Sequence, residues 1–109
     1  MSGIKISGEK RLVVVSGRAH PQLAIDVAAE LRTDLVETEA RTFANGEIYA
    51  RFGESIRGTD VFIVQPTCSP VDANIMELCV MIDAFRRSSA SRITAVIPYY
   101  GYARQDKKV

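Results

Sequence analysis

Short apolar runs alternate with helically spaced apolar residues along the chain, which predicts strands and helices in turn. Residues 12–16 (LVVVS) are apolar and β-branched, a run typical of a strand buried on both faces. Pro21 suits the first turn of a helix, and the helical spacing of apolar residues after it predicts a helix over 21–32. Residues 1–10 show neither pattern and are predicted to form a flexible tail.

Residues 35–54 (LVETEARTFANGEIYARFGE) carry the pattern of a β-hairpin. Two stretches with β-branched and aromatic residues flank Asn45 and Gly46. Asn-Gly between strand-like runs is a strong hairpin signal, because both residues of the turn then take positive φ. We therefore predict two antiparallel strands that meet at this pair.

The second half of the chain has the order strand, helix, strand. Residues 61–65 (VFIVQ) and 93–99 are predicted to be strands. Between them, Asp72 is placed to cap a long helix that ends near Ser89. The predicted apolar stripe of this helix is Ile75, Leu78, Cys79, Ile82 and Phe85, and Met76 and Met81 are also assigned to the core.

This order of elements predicts an α/β fold in which a parallel sheet has flanking helices and an antiparallel hairpin. Residues 11–109 are assigned to one domain. Parallel strands need cover on both faces, but two predicted helices serve three such strands, and no helix follows 93–99. We therefore expect the fold to be truncated within a βαβ unit.

The composition is that of a soluble globular domain: 109 residues, 47% hydrophobic and 25% charged, with a net charge of +1. That charge gives no general attraction to nucleic acid or anionic lipid, and no apolar run reaches the roughly 20 residues of a membrane helix. With two cysteines and no secretory signal, the cytoplasm is the expected compartment. Cys79 is predicted to be a buried thiol, and His20 to cap or precede the first helix. Two cysteines and a single histidine make a zinc site improbable.

Three loops leave the carboxyl ends of the predicted parallel strands, where α/β sheets bind ligands: 16–20, 65–70 and 100–108. None has a G-x-G-x-x-G or P-loop pattern. The third is the richest, because Arg104 offers a fork of donors to a phosphate and Gln105 adds an amide. A solvated polar loop is an equally good interpretation of these residues alone.

The hairpin is a second candidate site. Phe43, Asn45 and Glu47 alternate, and an aromatic ring, an amide and a carboxylate together suit a purine. The simpler alternative is a turn with Phe43 packed inward and Glu47 keeping the edge soluble. Ser55 and Arg57 can hold an anion or belong to a plain turn.

Four segments together resemble the amino-terminal half of the ribose-phosphate diphosphokinase (phosphoribosyl pyrophosphate synthetase) family. They are FANGE at 43–47, ESIRG at 54–58, IMELCVMIDAFRRSSA at 75–90 and ITAVIPYYGYARQDKK at 93–108. The resemblance implies a phosphoribosyltransferase-like fold, two similar domains and hexamers built from dimers. It implies transfer of the diphosphoryl group of ATP to the C1 hydroxyl of ribose 5-phosphate, with Mg²⁺, giving phosphoribosyl diphosphate and AMP.

The resemblance also implies roles for individual residues. Phe43, Asn45 and Glu47, with Gly46 shaping the turn, correspond to an adenine-binding hairpin that reaches a neighbouring subunit. Arg104 and Gln105 correspond to the ATP loop, and Ser55 and Arg57 to part of a regulatory phosphate or ADP site. The family's metal ligands, catalytic loop and pentose-phosphate loop lie further along, so no catalytic or metal-binding residue is assigned and the chain alone is expected to be inactive.

Two other functions remain open from the sequence. One is a non-catalytic regulatory homologue that binds synthetase subunits, and the other is a generic nucleotide-binding α/β domain. Val109 also departs from the acidic or polar residue that commonly follows the lysine pair in relatives.

Overall fold

The computed structural model describes residues 4–6, 10–52, 56–99 and 101. In chain order its strands and helices are β1 (Ile4–Ile6), β2 (Lys10–Ser16), α1 (Pro21–Leu31), β3 (Thr38–Thr42), β4 (Ile48–Phe52), β5 (Asp60–Val64), α2 (Val71–Arg87) and β6 (Arg92–Val96).

The main sheet has the strand order β1-β2-β5-β6, and β3 and β4 form a separate two-stranded sheet. Strands β2, β5 and β6 are parallel, with Val14 opposite Phe62 and Phe62 opposite Thr94. The parallel sheet and the antiparallel hairpin that the sequence predicts are both present.

The two helices cover opposite faces of the main sheet. Ala24 and Ala28 of α1 pack with Leu12, Val14 and Val64. The other face, under α2, holds the larger apolar cluster, which consists of Val13, Val15, Val36, Ile56, Val61, Ile63, Leu78, Met81 and Phe85. Alternate residues of one strand therefore enter different clusters, as strand geometry requires.

The segment predicted as a tail contains a strand. Ile4–Ile6 pairs antiparallel with the start of β2, with Ile4 opposite Leu12 and Ile6 opposite Lys10. Strand β2 itself begins at Lys10, two residues earlier than the apolar run indicates. The apolar pattern marks only the part of β2 that lies in the core. The first residues of β2 pair with the outermost strand, β1, and fall outside that pattern.

Helix α2 differs from the prediction at its start. Pro70 occupies the N-cap position and no side chain caps the helix, while Asp72 lies inside the first turn. The predicted cap at Asp72 is therefore wrong. A carboxylate in the first turn still interacts favourably with the helix dipole.

The burial of α2 also corrects two predictions. Met76 is 55% exposed rather than part of the core, and Cys79 is exposed rather than buried. Successive helical residues are about 100° apart, so the face that carries Leu78 and Phe85 to the sheet turns Cys79 to the side and Met76 away. Met81 is fully buried, as predicted.

Candidate functional site

The carboxyl ends of β2 and β5 meet at one edge of the sheet, and buried polar side chains join them there. Gln65 follows β5 and is 0% exposed. Its Oε1 accepts a hydrogen bond from the Ala19 amide at 3.1 Å, in the loop after β2, and its Nε2 lies 3.4 Å from the carbonyl oxygen of Asn74. This side chain ties the two strand ends to the start of α2.

Glu77 on α2 is the anionic member of this network and is 3% exposed. Its Oε1 accepts from Nε of Arg18 at 2.7 Å, and its Oε2 accepts from the Arg18 backbone amide at 2.6 Å. Gln65 Nε2 lies 3.4 Å from the same Oε2. A buried carboxylate requires such partners, since desolvation of an unpaired charge is costly.

Gly17 lies where this network leaves no room for a side chain. A Cβ atom at this position would overlap the carboxamide of Gln65. The Gly17 amide also donates to the Val64 carbonyl at 3.1 Å, which fixes the backbone at the strand ends. Glycine is therefore required here for close approach and not for an unusual φ.

Thr67 holds the beginning of the third predicted loop. Its backbone amide donates to the Tyr99 carbonyl at 2.8 Å, and its hydroxyl accepts from the Gly101 amide at 2.6 Å. The third predicted loop, which the resemblance assigns to ATP, therefore starts beside the loops at 16–20 and 65–70. Arg104 and Gln105, its proposed ligand-binding residues, lie outside the described residues.

The hairpin loop has the predicted position but a different turn. The Gly46 amide donates to the Phe43 carbonyl at 2.9 Å, and the Phe43 amide donates to the Glu47 carbonyl at 2.7 Å. Gly46, with φ of 95°, takes positive φ, but Asn45 does not. The loop thus has three residues with glycine at the left-handed position, a common alternative to the two-residue turn.

Asn45 shapes this loop with its side chain. Its Oδ1 accepts from the Glu47 amide at 3.1 Å, a local bond typical of asparagine in turns. The amide nitrogen of the side chain takes no part in that bond. Glu47 is exposed at the end of the loop.

Phe43 does not pack inward, since 43% of it is exposed. Its ring centroid lies 5.9 Å from that of Tyr49, and the Arg41 guanidinium lies over both rings at 5.7 Å and 5.2 Å. The inward-packed alternative is therefore wrong. The ring is held at one side by its neighbours and open to solvent elsewhere.

A groove of about 550 Å³ lies between the hairpin loop and α2. Two residues of α2, Met76 and Val80, form its helical wall. The hairpin contributes Phe43, Asn45, Gly46, Glu47, Ile48 and Tyr49. The structure thus brings all four predicted hairpin residues to one concave surface.

The second predicted pair is placed elsewhere. Arg57 is exposed in the loop that precedes β5, beside Gly58, whose amide bonds the Ser89 carbonyl at 2.9 Å. This loop lies at the amino end of the sheet, opposite the Gln65 network. Ser55 lies outside the described residues.

The roles of Arg18, Glu77 and Asn74 are not predicted from the sequence. Arg18 and Gln65 fall in the predicted ligand-binding loops at 16–20 and 65–70, but nothing in the sequence pairs them with α2. A glutamate that interrupts the apolar face of α2, one residue before Leu78, is the signal that a buried polar partner exists.

Within the described residues, no group of three or more His, Cys, Asp or Glu side chains is arranged to hold a metal ion. In the same part of the chain, neither helix is long and apolar enough to cross a membrane.

His20 caps α1, since its Nδ1 accepts from the Leu23 amide at 3.0 Å, as the sequence predicts.

Curated relatives carry the name ribose-phosphate pyrophosphokinase. That of Streptomyces coelicolor is 54% identical over 108 residues, which are 99% of this chain and 33% of the relative. That of Mycobacterium leprae is 58% identical over 99 residues, or 91% of this chain and 30% of the relative. In Oryza sativa, ribose-phosphate pyrophosphokinase 1, chloroplastic, is 53% identical over 103 residues, covering 94% of this chain and 26% of the relative.

Solved structures agree with these matches. Phosphoribosylpyrophosphate synthetase from Mycobacterium smegmatis superposes with a TM-score of 0.86 at 54% identity, over 91% of this chain and 33% of that one. Purine phosphoribosyltransferase from Pyrococcus horikoshii Ot3 reaches a TM-score of 0.61 at 14% identity, over 84% and 65% of the two chains. The second likeness concerns the fold alone and confirms the predicted phosphoribosyltransferase-like architecture.

A family model also matches, over residues 12–109, and it describes the N-terminal domain of ribose phosphate pyrophosphokinase. The chain spans about a quarter to a third of the length of the curated relatives named above. Their names and this match confirm the resemblance seen in the sequence. The chain therefore belongs to the ribose-phosphate pyrophosphokinase family, as the amino-terminal domain that its model describes.

Proposed function

We propose that this chain is the adenine- and phosphate-binding portion of a ribose-phosphate pyrophosphokinase. The complete enzyme transfers the diphosphoryl group of ATP to the C1 hydroxyl of ribose 5-phosphate and releases AMP. Breaking the bond between the α- and β-phosphates develops charge on phosphoryl oxygens, so positioning and electrostatic stabilisation supply most of the catalysis. This chain's share is to position ATP.

The observation that carries the proposal is the exposed hairpin loop in a chain of this family. Phe43 presents an open aromatic ring on which a purine can stack. The exposed carboxylate of Glu47 can accept from an exocyclic amine, and the side-chain nitrogen of Asn45 can donate to a ring nitrogen. Oδ1 of Asn45 already accepts from the Glu47 amide, and the side-chain nitrogen is the group that this bond leaves entirely to a ligand.

The phosphates of ATP are assigned to Arg104 and Gln105, which follow the segment that Thr67 anchors. Magnesium is proposed as the metal of the complete enzyme. The described residues offer no cluster that fits it, and we propose from the family resemblance that its ligands lie in the rest of the enzyme. Ser55 and Arg57 are proposed to bind a regulatory phosphate.

We also propose a cytoplasmic enzyme that works as a hexamer built from dimers. Nothing in the described residues or in the relatives named above favours the non-catalytic regulatory alternative. The 109-residue chain by itself is expected to form no phosphoribosyl diphosphate, because the pentose-phosphate site is assigned to the rest of the enzyme.

The test is steady-state kinetics of the full-length protein that carries this chain. Phe43→Ala should raise the KM for ATP about 5- to 100-fold, since stacking of a base on an aromatic ring contributes roughly 1–3 kcal/mol. Glu47→Ala should raise it by a smaller factor, and Phe43→Tyr should stay near wild type. Ile25→Ala, at a similarly exposed apolar residue on α1, is the matched control.

Added phosphate tests the regulatory site in the same assay. Arg57→Gln should weaken the response to phosphate, and Arg86→Gln, at another exposed arginine, should not.

Unchanged KM for ATP in both Phe43→Ala and Glu47→Ala would instead favour a generic nucleotide-binding domain.

A further inference from the structure

Arg18 makes contacts in two directions that the proposed function does not yet use. Nε donates to the buried Glu77 carboxylate at 2.7 Å, and Nη2 donates to the hydroxyl of Thr42 at 3.0 Å. Thr42 is the last residue of β3 and directly precedes Phe43. One guanidinium therefore connects the fixed edge of the main sheet to the base of the hairpin loop.

The two ends of this connection differ in rigidity. Glu77 is almost fully buried, and its carboxylate is bonded to Arg18 twice and lies near the buried Gln65. The far end, at Thr42, is exposed. A planar guanidinium with its donors in a fixed fork transmits orientation from one end to the other better than a flexible ammonium group does.

The hairpin needs such an anchor because β3 and β4 form a sheet of their own. An isolated two-stranded hairpin is marginally stable in water. At the base of β3, the Thr38 hydroxyl donates to the Ser16 carbonyl at 3.2 Å, and Ala50 of β4 packs on the larger apolar cluster. Arg18 instead bonds the other end of β3, at Thr42, which directly precedes Phe43, the ring proposed to stack on adenine.

We propose that Arg18 is a positioning residue that sets the orientation of the Phe43 loop by holding Thr42 to Glu77. This inference rests on the proposed function, since it assigns the held loop to ATP. Arg18 is not a catalytic residue, because it acts on ATP through Thr42 and the backbone of Phe43.

The experiment uses Thr42→Val and Thr42→Ser in the full-length protein that carries this chain. Valine keeps the shape and the strand preference of threonine but removes the acceptor, whereas serine keeps the acceptor. Thr42→Val should raise the KM for ATP about three- to tenfold, the range for losing one hydrogen bond of ordinary strength, because the bond from Arg18 to Thr42 is exposed to solvent. The KM for ribose 5-phosphate should stay constant, and Thr42→Ser should restore the KM for ATP.

Arg18→Ala and the double variant Arg18→Ala/Thr42→Val complete a cycle. The double variant should be no worse for ATP than Arg18→Ala alone, because both changes break the same link. Arg18→Lys should lie between Arg18→Ala and wild type. If Arg18→Ala fails to fold because Glu77 loses its charge partner, the Thr42 pair still decides the proposal.

Hydrogen exchange of the same proteins gives a readout that does not involve ATP. Thr42→Val should speed exchange of the Phe43 amide, which bonds the Glu47 carbonyl at 2.7 Å, and leave Asp60–Val64 unchanged. A KM for ATP within about twofold of wild type in Thr42→Val, with Phe43→Ala impaired, overturns the positioning role alone. If the KM for ATP is also unchanged in Phe43→Ala, the assignment of this loop to adenine has failed. In that case the anchoring of the loop is overturned as well if hydrogen exchange of the Phe43 amide is unchanged in Thr42→Val.

Discussion

The edge of the main sheet and the tip of the hairpin both carry polar residues, but those at the edge are buried and those at the tip are exposed. At the edge, Gln65 and Glu77 are almost fully buried and bond to protein groups. At the tip, Phe43 and Glu47 face solvent, and the loop is shaped by the short-range bond from the Glu47 amide to Asn45. Buried polar groups with partners fix a structure, while exposed ones remain available to a ligand.

This difference teaches which residues belong to the scaffold and which to the site. A change at the edge should act on stability first, because Gln65 and Glu77 are desolvated there. A change at the tip should act on ligand binding and leave the fold nearly intact. Arg18 connects the two regions, because it bonds Glu77 at the edge and Thr42 at the base of the hairpin loop.

Two phenylalanines give the largest contrast. Phe85→Ala empties a fully buried position between α2 and the sheet and should lower the free energy of unfolding by about 3–5 kcal/mol. Phe43→Ala should lower it by less than about 1 kcal/mol, since the ring is exposed. Denaturant unfolding of both variants measures this, and equal losses would contradict the assignment of Phe43 to the site.

Substitution of two glycines distinguishes the cost of steric crowding from the cost of backbone strain. Gly17→Ala should lower the free energy of unfolding by about 2–3 kcal/mol, because the new methyl group meets the buried carboxamide of Gln65. Gly46→Ala meets no atom within 4 Å but keeps φ at 95°, so it should cost about 1–2 kcal/mol.

The double variant Gly17→Ala/Gln65→Ala separates the two causes. Removing the carboxamide should relieve the crowding at Gly17, so the two changes should not add. Simple additivity, measured by denaturant unfolding of the two singles and the double, would show that Gly17 is needed for another reason.

The smallest effect is expected within the loop. Asn45→Ala removes the acceptor for the Glu47 amide and should lower the free energy of unfolding by about 0.5–1.5 kcal/mol. Asn45→Asp keeps that acceptor and should stay nearer to wild type in thermal unfolding. A larger loss in Asn45→Asp than in Asn45→Ala would mean that the bond does not shape the loop.

Much of the fold could be predicted because its signals are local. The apolar run at 12–16, the helical spacing after Pro21 and the Asn-Gly pair each report on neighbouring residues, and all three elements form. The hairpin residues Phe43 to Glu47 were found in the same way, as a contiguous motif. Errors arose where a local signal was incomplete, as in the short strand Ile4–Ile6.

The burial of individual residues on α2 was less predictable. A wide apolar face at helical spacing admits Met76 and Cys79, and only the docking angle of the helix decides that both are exposed. The predicted turn, with positive φ at both Asn45 and Gly46, is wrong at Asn45, because the Asn-Gly signal does not exclude a three-residue loop with glycine at the left-handed position.

By itself, the sequence determined the order of the strands and helices that follow Ile4–Ile6, the hairpin and the family. The tertiary structure decided that Arg18 bonds the buried Glu77, that Glu77 lies beside the buried Gln65, and that Arg18 also reaches Thr42. The physical reason is distance along the chain, since Arg18 and Glu77 are 59 residues apart and Arg18 and Thr42 are 24 apart. Hydrophobic periodicity reports which face of an element is buried, but a polar partner is chosen only when the elements pack.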